Sequence, residues 1–164
     1  LAIRLGDERH GIEIVQGCLD KLRAAHYEFL TTPFNISLVQ GLAAIGRLAE
    51  AKTLLDETVR LVEDNGDFCY MPELLRVRGG LLLSLPEPRA DDAKASYVEA
   101  LEMSRRQGAL AWELRAAVDL AALLALQGDP ERARTLLQPV FDRFAEGSDT
   151  ANLKAAQRLL ATLE

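Results

Sequence analysis

A small residue returns at one phase of a helical pattern along this 164-residue chain, at Gly11, Ala51, Ala93 and Ala133. The intervals are 40, 42 and 40 residues. A repeat of that length, with no alternating strand pattern, is a helix pair that cannot bury its apolar face alone. Stacking such pairs predicts an all-α chain, an α-solenoid of antiparallel helix pairs. Folds of this kind present extended surfaces that bind rather than transform.

A true repeat reproduces its whole apolar face. Four residues after each small position stand Val15, Leu55, Tyr97 and Leu137; seven after, Cys18, Thr58, Ala100 and Val140; eight after, Leu19, Val59, Leu101 and Phe141. Eleven after, the column reads Leu22, Val62, Ser104 and Phe144, broken only by Ser104. These offsets lie on one stripe of a 3.6-residue helix, which places Cys18 in the core as a small hydrophobe. Five residues before each small position come Gly6, Gly46, Pro88 and Gly128, which stop one helix and turn into the next. In the last unit Gly128 suits a left-handed cap, Asp129 caps the new N-terminus and Pro130 fits the first helical position.

Helices are predicted over 8–26, 33–45, 48–64, 69–85, 90–107, 109–127, 130–145 and 150–163, with no long linker. Residues 1–148 are expected to form the repeats, the first of them truncated, and 149–164 a C-terminal capping helix of the same domain. In that last segment Leu153, Ala156, Leu160 and Leu163 form an apolar stripe, while Lys154, Gln157 and Arg158 face elsewhere. The chain starts at Leu1 rather than Met, so it is expected to be a piece of a longer protein that begins inside a preceding repeat. Leu1 to Leu5 would then end that repeat's first helix. A repeat cut there leaves an apolar face open, a candidate homodimer surface whether native or created by excision.

Small, bulky, small at offsets 0, 4 and 7 of the second helix resembles the Ala, Phe, Ala pattern of tetratricopeptide repeats, in long variants of a family whose usual repeat is about 34 residues. The first helices supply their apolar face through Leu38, Leu42 and Ile45, or Leu120, Leu123 and Leu124, without that family's tryptophan and tyrosine. A closer likeness covers roughly residues 66–164. It is carried by Trp112-Glu113-Leu114-Arg115-Ala116-Ala117, Gln127-Gly128, Ala133-Arg134, Leu136-Leu137-Gln138-Pro139-Val140, Glu146-Gly147-Ser148-Asp149-Thr150 and Leu153-Lys154, with Glu73-Leu74 and Gly79 to Leu83 upstream. Together these resemble the C-terminal tetratricopeptide region of large bacterial signalling ATPases, in which a P-loop NTPase module is fronted by a class III nucleotide cyclase or a winged-helix DNA-binding domain. The chain departs from that pattern at Phe141-Asp142-Arg143-Phe144, where such regions often carry a more aromatic Tyr/Trp pair.

The resemblance implies a non-catalytic interaction module, the sensory or scaffolding part of a cytoplasmic bacterial transcriptional or cyclase-linked regulator. Its partner would be a protein or peptide, with the parent's own NTPase domain among the candidates. The resemblance also implies that the first helix of each pair lines a concave groove and meets the ligand through polar residues, here Asn35, Gln40, Glu73, Arg76, Arg78, Glu113, Arg115 and Asp119. Glu73 and Glu113 each stand 20 residues before their repeat's small position, so they are stacked equivalents. Two readings of these charges stay open. The arginines could clamp a carboxylate or acidic peptide through bidentate hydrogen bonds, or Glu and Arg could pair with one another as a ladder, each exposed pair contributing about 0–1 kcal/mol. The alternative to a regulator's arm is a free-standing adaptor bridging two partners, which needs a groove on one face and a second apolar patch on the other.

Other chemistries find little support. Lys and Arg number 19 against 25 Asp and Glu, a net charge of −6, and direct nucleic-acid binding needs a concentrated positive stripe. The one tight basic pair, Arg105-Arg106, ends a predicted helix, where cations complement the dipole. No apolar run is long enough to span a membrane and no signal-peptide pattern opens the chain. His10 and His26 lack metal-ligand spacing. Cys18 and Cys69 form no CxxC, and no disulfide is expected. Arg78-Gly79-Gly80 lies inside a leucine pattern, a close-packing site rather than a phosphate cradle. No catalytic residue, metal or cofactor is expected. The residues are 49% hydrophobic and only 5% aromatic, so Ala and Leu carry the packing.

Overall fold

Three helices end at or just before a glycine of positive φ, Gly46, Gly66 or Gly108, and Gly128 precedes α7, while Pro86 and Pro88 stand between α4 and α5. The structure is a computed structural model that describes residues 8–25, 31–144 and 150–163. It contains α1 (Glu8–Ala24), α2 (Thr31–Ala44), α3 (Leu48–Asn65), α4 (Met71–Leu83), α5 (Ala90–Gln107), α6 (Leu110–Leu126), α7 (Pro130–Phe141) and α8 (Ala151–Thr162), with a 3-10 turn at Phe68–Tyr70 before α4. The described residues form no strand. Leu1 to Leu5, Gly6, His26 and the segment Glu146 to Asp149, which entered the sequence reading, lie outside them.

Most helix ends fall within two residues of expectation. α2 begins at Thr31, two residues before the expected start, because Pro33 sits third in the helix, where its missing N–H would have had no intrahelical partner. Asp67 accepts a hydrogen bond from Cys69 N at 3.4 Å and starts the 3-10 turn, so α4 opens at Met71 instead of 69, with Pro72 in its first turn. α7 stops at Phe141, short of the expected 145. Pro139 withdraws one donor from its last turn. At its other end Asp129 accepts from Arg132 N at 3.1 Å and Pro130 takes the first position. Gly128 has φ 85, a conformation that costs an L side chain about 1–2 kcal/mol.

The helices pack first as sequence neighbours, α1 on α2 through to α7 on α8. A second set of contacts joins alternate helices, α2 to α4, α4 to α6 and α6 to α8. None of the pairs α1/α3, α3/α5 or α5/α7 is among the substantial contacts. The even helices therefore form a continuous layer, and the odd ones reach each other through it.

The repeated columns set this spacing. Ala51, Ala93 and Ala133 are fully buried, as are Leu55 and Leu137 one turn on. Ser104, the break in its column, is buried too, and its hydroxyl donates to Ala100 O at 2.8 Å. A buried hydroxyl needs such a partner, and here the helix supplies it. Gly79 packs against the face of Tyr97, where a Cβ would come within 2.4 Å of the ring. On α8, Ala156, Leu160 and Leu163 are buried against α6 and α7, while Lys154, Gln157 and Arg158 are exposed.

Cys18 is a correction: it is exposed, not in the core. Thr58, Ala100 and Val140, its counterparts, are buried because α3, α5 and α7 each lie between two even helices, whereas among the described residues α1 has α2 alone beside it. Ile14, one turn before Cys18, is 49% exposed for the same reason. No helix among the described residues is long and apolar enough to cross a membrane.

Candidate functional site

The even-helix layer carries a charged cluster at its centre. Glu73 lies in the first turn of α4, where the helix N-terminus favours an anion, and its side chain is 2% exposed. A carboxylate so buried needs partners. Arg76, one turn along α4, donates to both Glu73 oxygens, from Nε at 2.8 Å and Nη2 at 2.9 Å, and from Nη1 to Asp119 of α6 at 2.5 Å. Arg115 of α6 brings Nη2 to 2.6 Å from Glu73 Oε1. Its guanidinium also lies over the Trp112 ring, 5.2 Å from the centroid, and Trp112 in turn tilts against Tyr70 at 6.2 Å. Two carboxylates and two guanidiniums thus tie α4 to α6 across 42 residues of sequence.

The electrostatics follow from that enclosure. Burial pulls Arg76 down, but hydrogen bonds and proximity to Glu73 and Asp119 outweigh it, and the guanidinium is held above its ordinary pKa. Burial, aided by the nearby Asp119 charge and opposed by Arg76, pushes the Tyr97 phenol up to about 12.

The eight residues expected along one groove divide into five placements. Glu73, Arg76, Arg115 and Asp119 converge in the cluster just described. Gln40 lines an adjoining hollow of about 290 Å³ between α2 and α4, together with Arg76, Gly80 and Ser84. Asn35 lies within α2's packing at 4% exposure, and its Oδ1 has no hydrogen-bond partner. Arg78 stands apart from the cluster. Two residues beyond Arg76 on a helix is about 200° of rotation, so its guanidinium faces the other side, 3.9 Å from Asp56 of α3.

Glu113 also lies outside the cluster, its carboxylate 3% exposed. Arg105 Nε of α5 donates to its Oε1 at 2.9 Å, and Arg143 Nη1, just beyond α7, to its Oε2 at 2.5 Å. Arg143 had no place in the sequence-predicted site. Arg105 complements the dipole at the end of α5, and the tight turn at Gly108 also sets that last turn beside the first turn of α6 and brings Arg105 to Glu113. Acid and base flanking a predicted tight turn was the available signal.

On the opposite side of α4 the odd helices α3 and α5 leave a groove. It widens into two hollows of about 470 and 380 Å³ that share Asp56, Arg78 and Glu99. Among the described residues, no three His, Cys, Asp or Glu side chains are placed to hold a metal. Compared with models of known families and with curated proteins, the chain matches none.

Proposed function

We propose that this chain is a non-catalytic binding module, a tetratricopeptide-like α-solenoid that receives a protein or peptide on the face formed by α2, α4 and α6. The observation that carries this reading is the pattern of contacts. The even helices touch in an unbroken series and the odd helices make no comparable contacts, which is what a stack curving toward its even helices requires. The buried small residues at one phase of α3, α5 and α7 allow that close stacking. Beside Gln40 and Arg76 the hollow between α2 and α4 opens on that face, while the central charges are engaged with one another. That engagement supports a surface for docking rather than a reacting centre, with α8 as the cap of the stack.

In this proposal the parent is a bacterial cyclase-linked or transcriptional ATPase and the partner is its own NTPase module. The test is a photo-crosslinking amino acid placed at Gln40 in the natural full-length protein, with exposed Glu57 as the control position. Crosslinks from position 40 into a P-loop module of the same chain are expected. Crosslinks at both positions alike, or at neither, reject the binding face.

A second reading, a free-standing adaptor, is favoured by one observation: the α3–α5 groove lies on the other side of α4 from the first face. A natural chain without an NTPase module, crosslinked at position 40 to a separate polypeptide, supports this reading instead.

A further inference from the structure

The groove between α3 and α5 differs from an ordinary gap between neighbouring helices. Its first hollow is apolar through Val59, Phe68, Met71, Leu75 and Met103; its second is apolar through Leu55, Leu81, Leu82, Leu85 and Ala95. Phe68 is 45% exposed there. Between the hollows is a polar waist contributed by three helices: Asp56 of α3, Arg78 of α4 and Glu99 of α5. Lys52 is paired with Asp56 at 2.6 Å. Arg78 makes one long ion pair to Asp56 at 3.9 Å and is 40% exposed, and Glu99 is exposed on the other wall. In the next repeat the residues corresponding to Asp56, Arg78 and Glu99 are Val98, Val118 and Pro139. The waist is therefore particular to this groove and not a product of the repeat.

We propose that this groove binds an extended, uncharged peptide segment carrying two bulky apolar side chains four residues apart. The site lies on the face opposite the one in the proposed function and goes beyond that reading. Three dimensions and charges of the groove select this occupant. Along α4 the floor of the first hollow centres between Met71 and Leu75, and that of the second at Leu81 and Leu82. At 1.5 Å per residue the two centres lie about 13 Å apart. Four residues of extended chain span about 13 Å and return the side chain to the same face. At the waist between them, Arg78 can donate to a peptide carbonyl and Glu99 can accept from a peptide N–H.

Charge complementarity argues the same way. The first hollow sets Asp56, Glu63 and Glu99 against Arg60 and Arg78; the second sets Asp56, Asp92 and Glu99 against Lys52, Arg78 and Arg89. Opposite charges interspersed along the walls of a nearly neutral groove match the alternating dipoles of a neutral backbone. They offer no net field to a polyanion or a strongly basic peptide.

The test uses the chain's own probes. It has two methionines, Met71 and Met103, and both line the first hollow. With ¹³C-methyl methionine labelling, the protein shows two signals, both reporting on the site. The ligand is the capped peptide acetyl-Leu-Ser-Gly-Ser-Leu-amide. Both methyl signals should shift saturably as it is added, with an affinity within about twofold in about 0.5 M sodium chloride. Acetyl-Leu-Ser-Gly-Leu-Ser-amide, whose leucines are three apart, should bind at least about tenfold more weakly. Arg78→Ala and Glu99→Gln alter exposed or half-exposed side chains and should each weaken binding about fivefold or more, leaving the helical circular dichroism unchanged.

Three results would each overturn the proposal: no shift of either methyl at millimolar peptide, equal affinity for the two spacings, or both variants binding like the parent chain. Tighter, salt-sensitive binding of acetyl-Leu-Ser-Asp-Ser-Leu-amide would overturn it as well, by showing a net-charge site. None of these outcomes bears on crosslinking at Gln40, so the two readings fail separately.

Discussion

Tyr97 is a residue at which packing and titration meet. It fills the core position one turn after Ala93, lies against Gly79, and is 3% exposed. Its phenol is held at about 12 by burial and by Asp119, against about 10 in an unfolded chain. Between those values the unfolded chain releases the proton first. The stabilisation is therefore complete below about pH 10 and is lost as pH rises to about 12, amounting to about 2–3 kcal/mol. Urea unfolding followed from pH 8 to pH 11 should show this fall in the parent chain and a shallower one in Tyr97→Phe; parallel curves would remove Tyr97 as its source. Glu73 shows what a single residue concealed. Its position 20 before Ala93 marked it as equivalent to Glu113, yet each carboxylate is enclosed by two arginines, at least one of them from another helix. The partners differ, Arg76 and Arg115 in one case and Arg105 and Arg143 in the other, because a repeat conserves the place of a side chain more readily than what surrounds it.

At the scale of the element, amphipathic period and punctuation located every helix, and the errors concentrate where a proline acts within a turn. Pro33 fits the start of α2 because only the first turn has N–H groups without intrahelical partners, whereas Pro139 costs the last turn of α7 one donor. α8 shows how an element's stripe becomes energy. Leu160 and Leu163 are 9% and 8% exposed against α6 and α7, and burying two leucines contributes about 3–6 kcal/mol as an upper estimate. Deleting residues 149–164 should lower the melting temperature by about 10 °C and make the protein aggregate through the uncovered face of α6 and α7. A truncated chain that stays monodisperse with an unchanged melting temperature would show that α8 covers nothing of consequence.

For the whole molecule the decisive quantity is how many neighbours each helix has. α4 and α6 each pack substantially against four helices, whereas α1 among the described residues does so against α2 alone. Protection of backbone amides follows such packing, so hydrogen exchange should be slowest in α4 and α6 and fastest in α1. Uniform protection along the helices would mean that the stack opens only as one unit. The helices, their pairing with chain neighbours and the inward stripe of α3, α5 and α7 follow from the order of residues, since all three are set by a period measured along the chain. The sequence also contained, in the two-residue step from Arg76 to Arg78, the fact that these arginines face opposite sides, because helical rotation is local. Tertiary structure alone decided that Glu73 meets Arg115, that Glu113 meets Arg143, and that α3 and α5 stand apart with Asp56, Arg78 and Glu99 between them. These contacts depend on the angle at which one helix pair stacks on the next. That angle is the resultant of many side-chain volumes packed at once, and no period along the chain records it.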